Sequence, residues 1–107
     1  MNPLSIGKSY CLRLPDGRVL GHVRIRRMEE PWAEGSFQPG TAFAPYRDLF
    51  EREARLRHDQ VIPLWEDVAD AIDALQIQVV EEGGQHPVQP RLRVYVEGDE
   101  AFLGIPA

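Results

Sequence analysis

Along this chain the spacing of apolar residues changes from two to about 3.6 and then back to two. In residues 8–14, KSYCLRL, Tyr10, Leu12 and Leu14 alternate with Ser9, Cys11 and Arg13. That is the pattern of a half-buried strand. Pro15-Asp16-Gly17-Arg18 interrupts it, and Asp-Gly is a strong signal for a two-residue hairpin turn. Residues 19–28 resume the alternation, with Val19, Gly21, Val23 and Ile25 on one face and Leu20, His22, Arg24 and Arg26 on the other. A turn at Asp16-Gly17 sets Leu14 against Val19, Leu12 against Gly21 and Tyr10 against Val23. On the opposite face Arg13 meets Leu20, Cys11 meets His22, and Ser9 meets Arg24. Gly21 leaves a gap beside Leu12 for a bulky side chain from elsewhere.

Met28–Ala44 follows neither period. Pro31, Gly35, Pro39 and Gly40 punctuate it, and Pro45 follows, so a long loop is expected there. The wider stretch Met28–Phe50 nonetheless holds Trp32, Phe37, Phe43, Tyr46 and Phe50, from a total of 2 Trp, 3 Tyr and 4 Phe. Aromatic area on that scale is expected to pack, as a plug closing the end of a sheet–helix core. Trp32 and Phe37 are the two whose exposure beside Glu29, Glu30 and Glu34 would mark an interface instead.

Helical spacing begins at Tyr46. Tyr46, Leu49, Phe50 and Leu56 make one stripe over residues 46–58, with Glu53 set inside it and Arg57 four residues on. Over residues 59–76, Val61, Trp65, Val68, Ala69, Ile72 and Leu75 form an apolar face opposite Glu66, Asp70 and Asp73. Pro63 either kinks one long helix or sits in the first turn of a second; the pattern leaves both open. Period two returns in residues 76–81 and 91–97, where Leu92, Val94 and Val96 oppose Arg91, Arg93 and Tyr95. Gly83-Gly84, Pro87 and Pro90 mark a loop between them, and Ala101–Ile105 is a short fifth strand at an edge. The expectation is a single α+β domain over residues 1–107. Its antiparallel sheet of four or five strands packs on one or two helices, in the order β-β-loop-α-α-β-β.

Composition changes this picture little. Hydrophobic residues at 43% and charged residues at 27% suit a soluble domain with one core. No apolar run is long enough for a membrane span, and the N-terminus lacks the apolar core of a signal peptide. Cys11 is the only cysteine, which excludes an internal disulfide and a multi-cysteine zinc site and fits a cytoplasmic setting. Charge is more informative. Residues 1–27 hold six basic residues and only Asp16 as an acid, while the remainder holds six arginines against sixteen acids.

Candidate chemistry is sparse. Parity puts Arg13, Arg24, Arg26, Arg91, Arg93 and Tyr95 on the open sheet face. Arginine forks there suit phosphate or carboxylate, and an aromatic beside them suits single-stranded nucleic acid. The net charge of −5 and the lack of an RNA-binding motif weigh against nucleic acid. Cys11 opposite His22 has the residue types of a nucleophile and its base, but no orienting group or oxyanion donor accompanies them. A structural cross-strand pair is the expectation. His22, His58, His86 and Cys11 lack metal-ligand spacing. Glu66, Asp67, Asp70 and Asp73 read as a solvated face able to meet a basic partner. Glu53 is expected to pair with Arg57 or Arg47. No phosphate loop, dinucleotide fingerprint or hydrolase elbow occurs, so no cofactor is expected. The expected function is a non-catalytic protein–protein interaction module, through a protein partner or self-association as a homodimer. The alternative is an anion- or nucleic-acid-binding domain using the arginine face, with Trp32 and Phe37 as further contact candidates.

Overall fold

A computed structural model of the chain describes residues 4–84, 87–89 and 92–104. The described residues form seven strands and two helices. The strands are β1 (Ser9–Arg13), β2 (Val19–Glu29), β3 (Trp32–Pro39), β4 (Gln78–Glu81), β5 (Pro87–Gln89), β6 (Arg93–Glu97) and β7 (Glu100–Gly104). Between β3 and β4 lie a short 3-10 turn, Ala44–Tyr46, and the helices α1 (Arg47–His58) and α2 (Ile62–Asp73). All strands belong to one sheet in the order β5-β4-β1-β2-β3-β7-β6, with every neighbouring pair antiparallel.

The sheet is curled. Three residues separate β5 from β6 in sequence, so the chain can span at most about 14 Å between Gln89 and Arg93. Yet these are the two edges of a seven-stranded sheet, which laid flat would be about 29 Å apart. Only a sheet rolled toward a barrel brings its edges that close. Its inner face carries Tyr10, Leu12, Val23, Ile25, Phe37, Val79, Val94 and Leu103, all in one buried cluster with Phe43, Phe50 and Ile72 from the helical segment.

Several sequence expectations need correction. The stretch read as a loop is mostly β structure: β2 runs on to Glu29, and β3 pairs with it through Trp32–Pro39. The inward residues of β3 are Ala33, Gly35 and Phe37, and two small residues out of three erase the hydrophobic alternation. Three strands therefore precede the helices. The span read as an edge strand, Ala101–Ile105, is an inner one: β7 lies between β3 and β6, and Ile105 falls outside the described residues. The loop after β4 contains β5, whose first residue, Pro87, suits an edge.

The first hairpin is right in its middle and wrong at its ends. Leu12 faces Gly21, Tyr10 faces Val23, Cys11 faces His22 and Ser9 faces Arg24, as the pattern predicts. However, the turn is one residue longer than Asp16-Gly17. Leu14 donates its N–H to the Arg18 carbonyl at 2.9 Å, and Gly17 donates to Leu14 at 2.9 Å. Gly17 takes the left-handed φ of 91° that glycine permits. Arg13 consequently faces Val19, and a bulge between Leu12 and Arg13 restores the register. The residue it absorbs is Leu20, which turns inward and is fully buried rather than facing out.

The Gly21 gap is filled. A Cβ at position 21 would stand 2.3 Å from the Phe37 ring. Phe37 meets Phe43 edge-on at 5.0 Å, and Phe43 stacks on Phe50 at 5.7 Å. This aromatic ladder ties β3 to α1 through the core. Helices α1 and α2 are separate elements, joined by Asp59–Val61, with Gln60 at φ 56°. Pro63 lies in the first turn of α2, where a missing N–H costs no helical hydrogen bond.

Candidate functional site

Two surfaces stand out. The first is on the outer face of β1, β2 and β3. Direct cross-strand neighbours share a face, so Ser9, Arg24 and Ser36 form one row and Cys11, His22 and Gln38 the next. Glu82 extends the first row past β4, donating its N–H to the Ser9 carbonyl at 3.0 Å. The short serines on both sides of Arg24 leave an open depression of about 700 Å³, whose lining includes the polar residues Ser9, His22, Arg24, Ser36, Gln38 and Glu82 together with Val23 and Phe37. His22 Nδ1 is 2.6 Å from Glu82 Oε1. The side chains of Ser9, Arg24, Ser36 and Gln38 make no hydrogen bond or ion pair among the described residues.

The second surface lies where α1 and α2 meet β6. Glu53 of α1 is fully buried, and three donors share its carboxylate. Arg57 donates from Nε at 2.8 Å and Nη2 at 3.2 Å, and Trp65 of α2 donates from Nε1 at 2.8 Å. Burial works to lower the Arg57 pKa, but the Glu53 bond and charge, with Glu97 behind them, leave it raised. The guanidinium lies over the rings of Tyr95 at 5.4 Å and Phe102 at 5.6 Å. Trp32 and Trp65 flank Tyr95 at 5.5 and 6.2 Å. Burial pushes the Tyr95 phenol above its usual range, against the opposing hydrogen bond from Arg93. This network holds elements together. Its buried charge is paired and bonded, and no carboxylate in it is left free for acid–base work.

Beside it the surface is apolar. Val61, Ile62 and Leu64 are 37, 50 and 50% exposed, with Pro63 exposed between them. Helical spacing places Val61 on the apolar face of the second helix. It instead precedes the helix in the connecting turn, outside the helical period. Val68, Ala69 and Ile72 take up the inner side.

The arginines of the open face do not form one surface. Arg24 and Arg26 are exposed on β2, Arg26 at a second bulge. Arg13 is half-buried two rows away, its Nε enclosed without a partner among the described residues. Arg93 is three strands from Arg24 and is held by Tyr95 Oη at 3.3 Å and Asp73 at 3.7 Å. Its pKa is raised, first by the Tyr95 hydrogen bond. Arg91 lies outside the described residues, as does His86. Tyr95 is buried, Trp32 half-buried against it, and Phe37 buried in the core.

Cys11 is buried opposite His22, whose ring is engaged by Glu82. No group of three or more His, Cys, Asp or Glu among the described residues is placed to hold a metal ion. No helix of the described residues is long and apolar enough to cross a membrane. Comparison with known protein families, curated proteins and solved structures finds no match to this chain. The serines, Gln38 and Glu82 were missed as a group because none carries a motif. Only the β2–β3 register, invisible while residues 28–44 read as a loop, brings Ser36 and Gln38 beside Arg24 and His22.

Proposed function

We propose that the protein is a non-catalytic interaction module that docks a protein partner through the start of α2. The observation that supports this reading is the run of exposed apolar side chains at Val61, Ile62 and Leu64. Because each is only a third to a half exposed, a partner that buried it would gain roughly 0.5–1.5 kcal/mol per side chain. Directly beyond them the exposed side of α2 carries Glu66, Asp67 and Asp70, with Asp73 paired to Arg93, and α2 has no basic residue. The complementary partner is an apolar segment followed by basic residues. A second copy is the poorer fit, since a two-fold contact through this patch brings two acidic helices together. Trp65, fixed to Glu53, holds the first turn of α2 in place, which lowers the ordering cost of association.

The test is comparative capture with the whole chain as bait, wild type against the Ile62→Asp, Leu64→Asp double variant. Acids in a helix's first turn favour the helix, so the variant keeps its circular dichroism and melting behaviour. The expected result is a protein retained by wild type, released by salt, and lost from the variant. An identical set on both baits, or none on either, overturns the reading. A concentration-dependent wild-type dimer abolished by the variant would replace the foreign partner with a second copy.

A further inference from the structure

We propose that the depression on the outer face of β1–β3 is a binding site for a small organic carboxylate, with Arg24 as its anchor. This does not depend on the docking reading, because the two surfaces share no residue.

The argument starts from how charge is distributed. Lys8, Arg18, Arg27, Arg57 and Arg93 each have an acidic side chain within ion-pair distance. Arg13, Arg26, Arg47, Arg52, Arg55 and Arg24 have none among the described residues, and of these Arg24 is the one that lines the depression, mid-row between β1 and β3. The reason is local. Its cross-strand neighbours are Ser9 and Ser36, which offer hydroxyls and no charge. The nearest acid on one side, Glu82, is engaged by His22. On the other side Glu34, two residues along β3 from Ser36, is turned to Arg27 at 3.8 Å, and Glu100 pairs across from Ser36, two strands from Arg24. The guanidinium is therefore left with a full set of donors between two serines. The hydroxyls of Ser9 and Ser36 and the amide of Gln38 are likewise unengaged within the described protein. All of them line the same depression.

Guanidinium, two hydroxyls and a carboxamide together make a donor-rich site for an oxyanion. A planar carboxylate matches the two-pronged Arg fork. Glu82 on the rim selects between anions. Its negative charge beside the site opposes a phosphate dianion more than a carboxylate monoanion. Its Oε1 is engaged by His22, and the carboxylate can still accept from a hydroxyl on the ligand. The volume of about 700 Å³ lies within the usual range for small-molecule pockets, roughly 300–1,000 Å³.

The experiment is an amide-shift titration of the whole chain with acetate, and separately with inorganic phosphate and chloride, at constant ionic strength. The expected result is a saturable change confined to residues around Ser9, Arg24, Ser36 and Gln38, stronger for acetate than for phosphate. Arg24→Gln should weaken it roughly tenfold, the loss of one charge-assisted hydrogen bond. Arg52→Gln on exposed α1 should leave it unchanged. Because Arg24 is exposed, its variant should melt like wild type. Equal response to chloride, shifts at every surface arginine, or no saturation overturns the site. Phosphate binding more tightly than acetate overturns the carboxylate assignment. Neither result bears on capture through Ile62 and Leu64.

Discussion

Tyr95 shows how burial of one phenol becomes a pH dependence. It is nearly shut from water, and that burial raises its pKa above the ordinary 10.0. The folded state therefore holds the proton more tightly than the unfolded chain. Its contribution to stability is complete below pH 10 and is lost as pH rises from there through the raised folded value. The expected outcome is a fall in urea midpoint above pH 10 that is steeper for wild type than for Tyr95→Phe, although Tyr95→Phe starts lower through loss of the Arg93 bond. Parallel curves would show that the phenol is not the cause. At this scale the chain was partly legible. Parity placed Tyr95 and Arg93 on one side of their strand and Glu53 within reach of Arg57. What parity does not contain is which partner each charge meets. Arg93 is neutralised by Asp73 from α2, and Arg24 by nothing among the described residues, yet as residues in a pattern they look alike.

Between elements, Glu53 is the joint. It belongs to α1, its third donor to α2, and its first partner, Arg57, rests on rings of β6 and β7. Trp65→Phe keeps the ring and removes the Nε1–H, leaving a buried carboxylate one donor short. A loss of roughly 1–3 kcal/mol is expected in denaturant unfolding. Hydrogen exchange should quicken in α2 before α1, since α1 keeps its core anchor through Phe50 and Phe43. Uniform acceleration across both helices would place the joint elsewhere. The helices and the middle of the first hairpin were readable because their periods are long and their inward residues large. β3 was not. Its inward Gly35 has no side chain to signal burial, and none could fit: a Cβ there would stand 2.2 Å from the Arg24 carbonyl. β5 was hidden for a different reason, since a three-residue strand beginning in proline matches a loop as well as an edge.

Across the whole molecule, the open question is what keeps the sheet rolled. The Cα radius of gyration, 12.9 Å, matches the roughly 13 Å expected for a compact chain of this length. Both the short connection from β5 to β6 and the core could hold the edges together. The core is the stronger candidate, because Val79 of β4, next to one edge, and Val94 of the other edge strand, β6, share one buried cluster with Phe50 of α1. A tether only lowers closure entropy, about 0.6 kcal/mol per doubling of its length. Removing Phe50 from that cluster costs about 3–5 kcal/mol by the usual large-to-small substitution. A flexible Gly/Ser insertion after Gln89 that doubles the connection should therefore shift the urea midpoint only slightly and leave the scattering radius of the sheet–helix body unchanged. Phe50→Ala should unfold at much lower urea. If the insertion instead expands the particle and costs as much as Phe50→Ala, the connection rather than the core sets the curl. The outer-face depression, whose shape depends on that curl, should then lose its acetate response in the same variant.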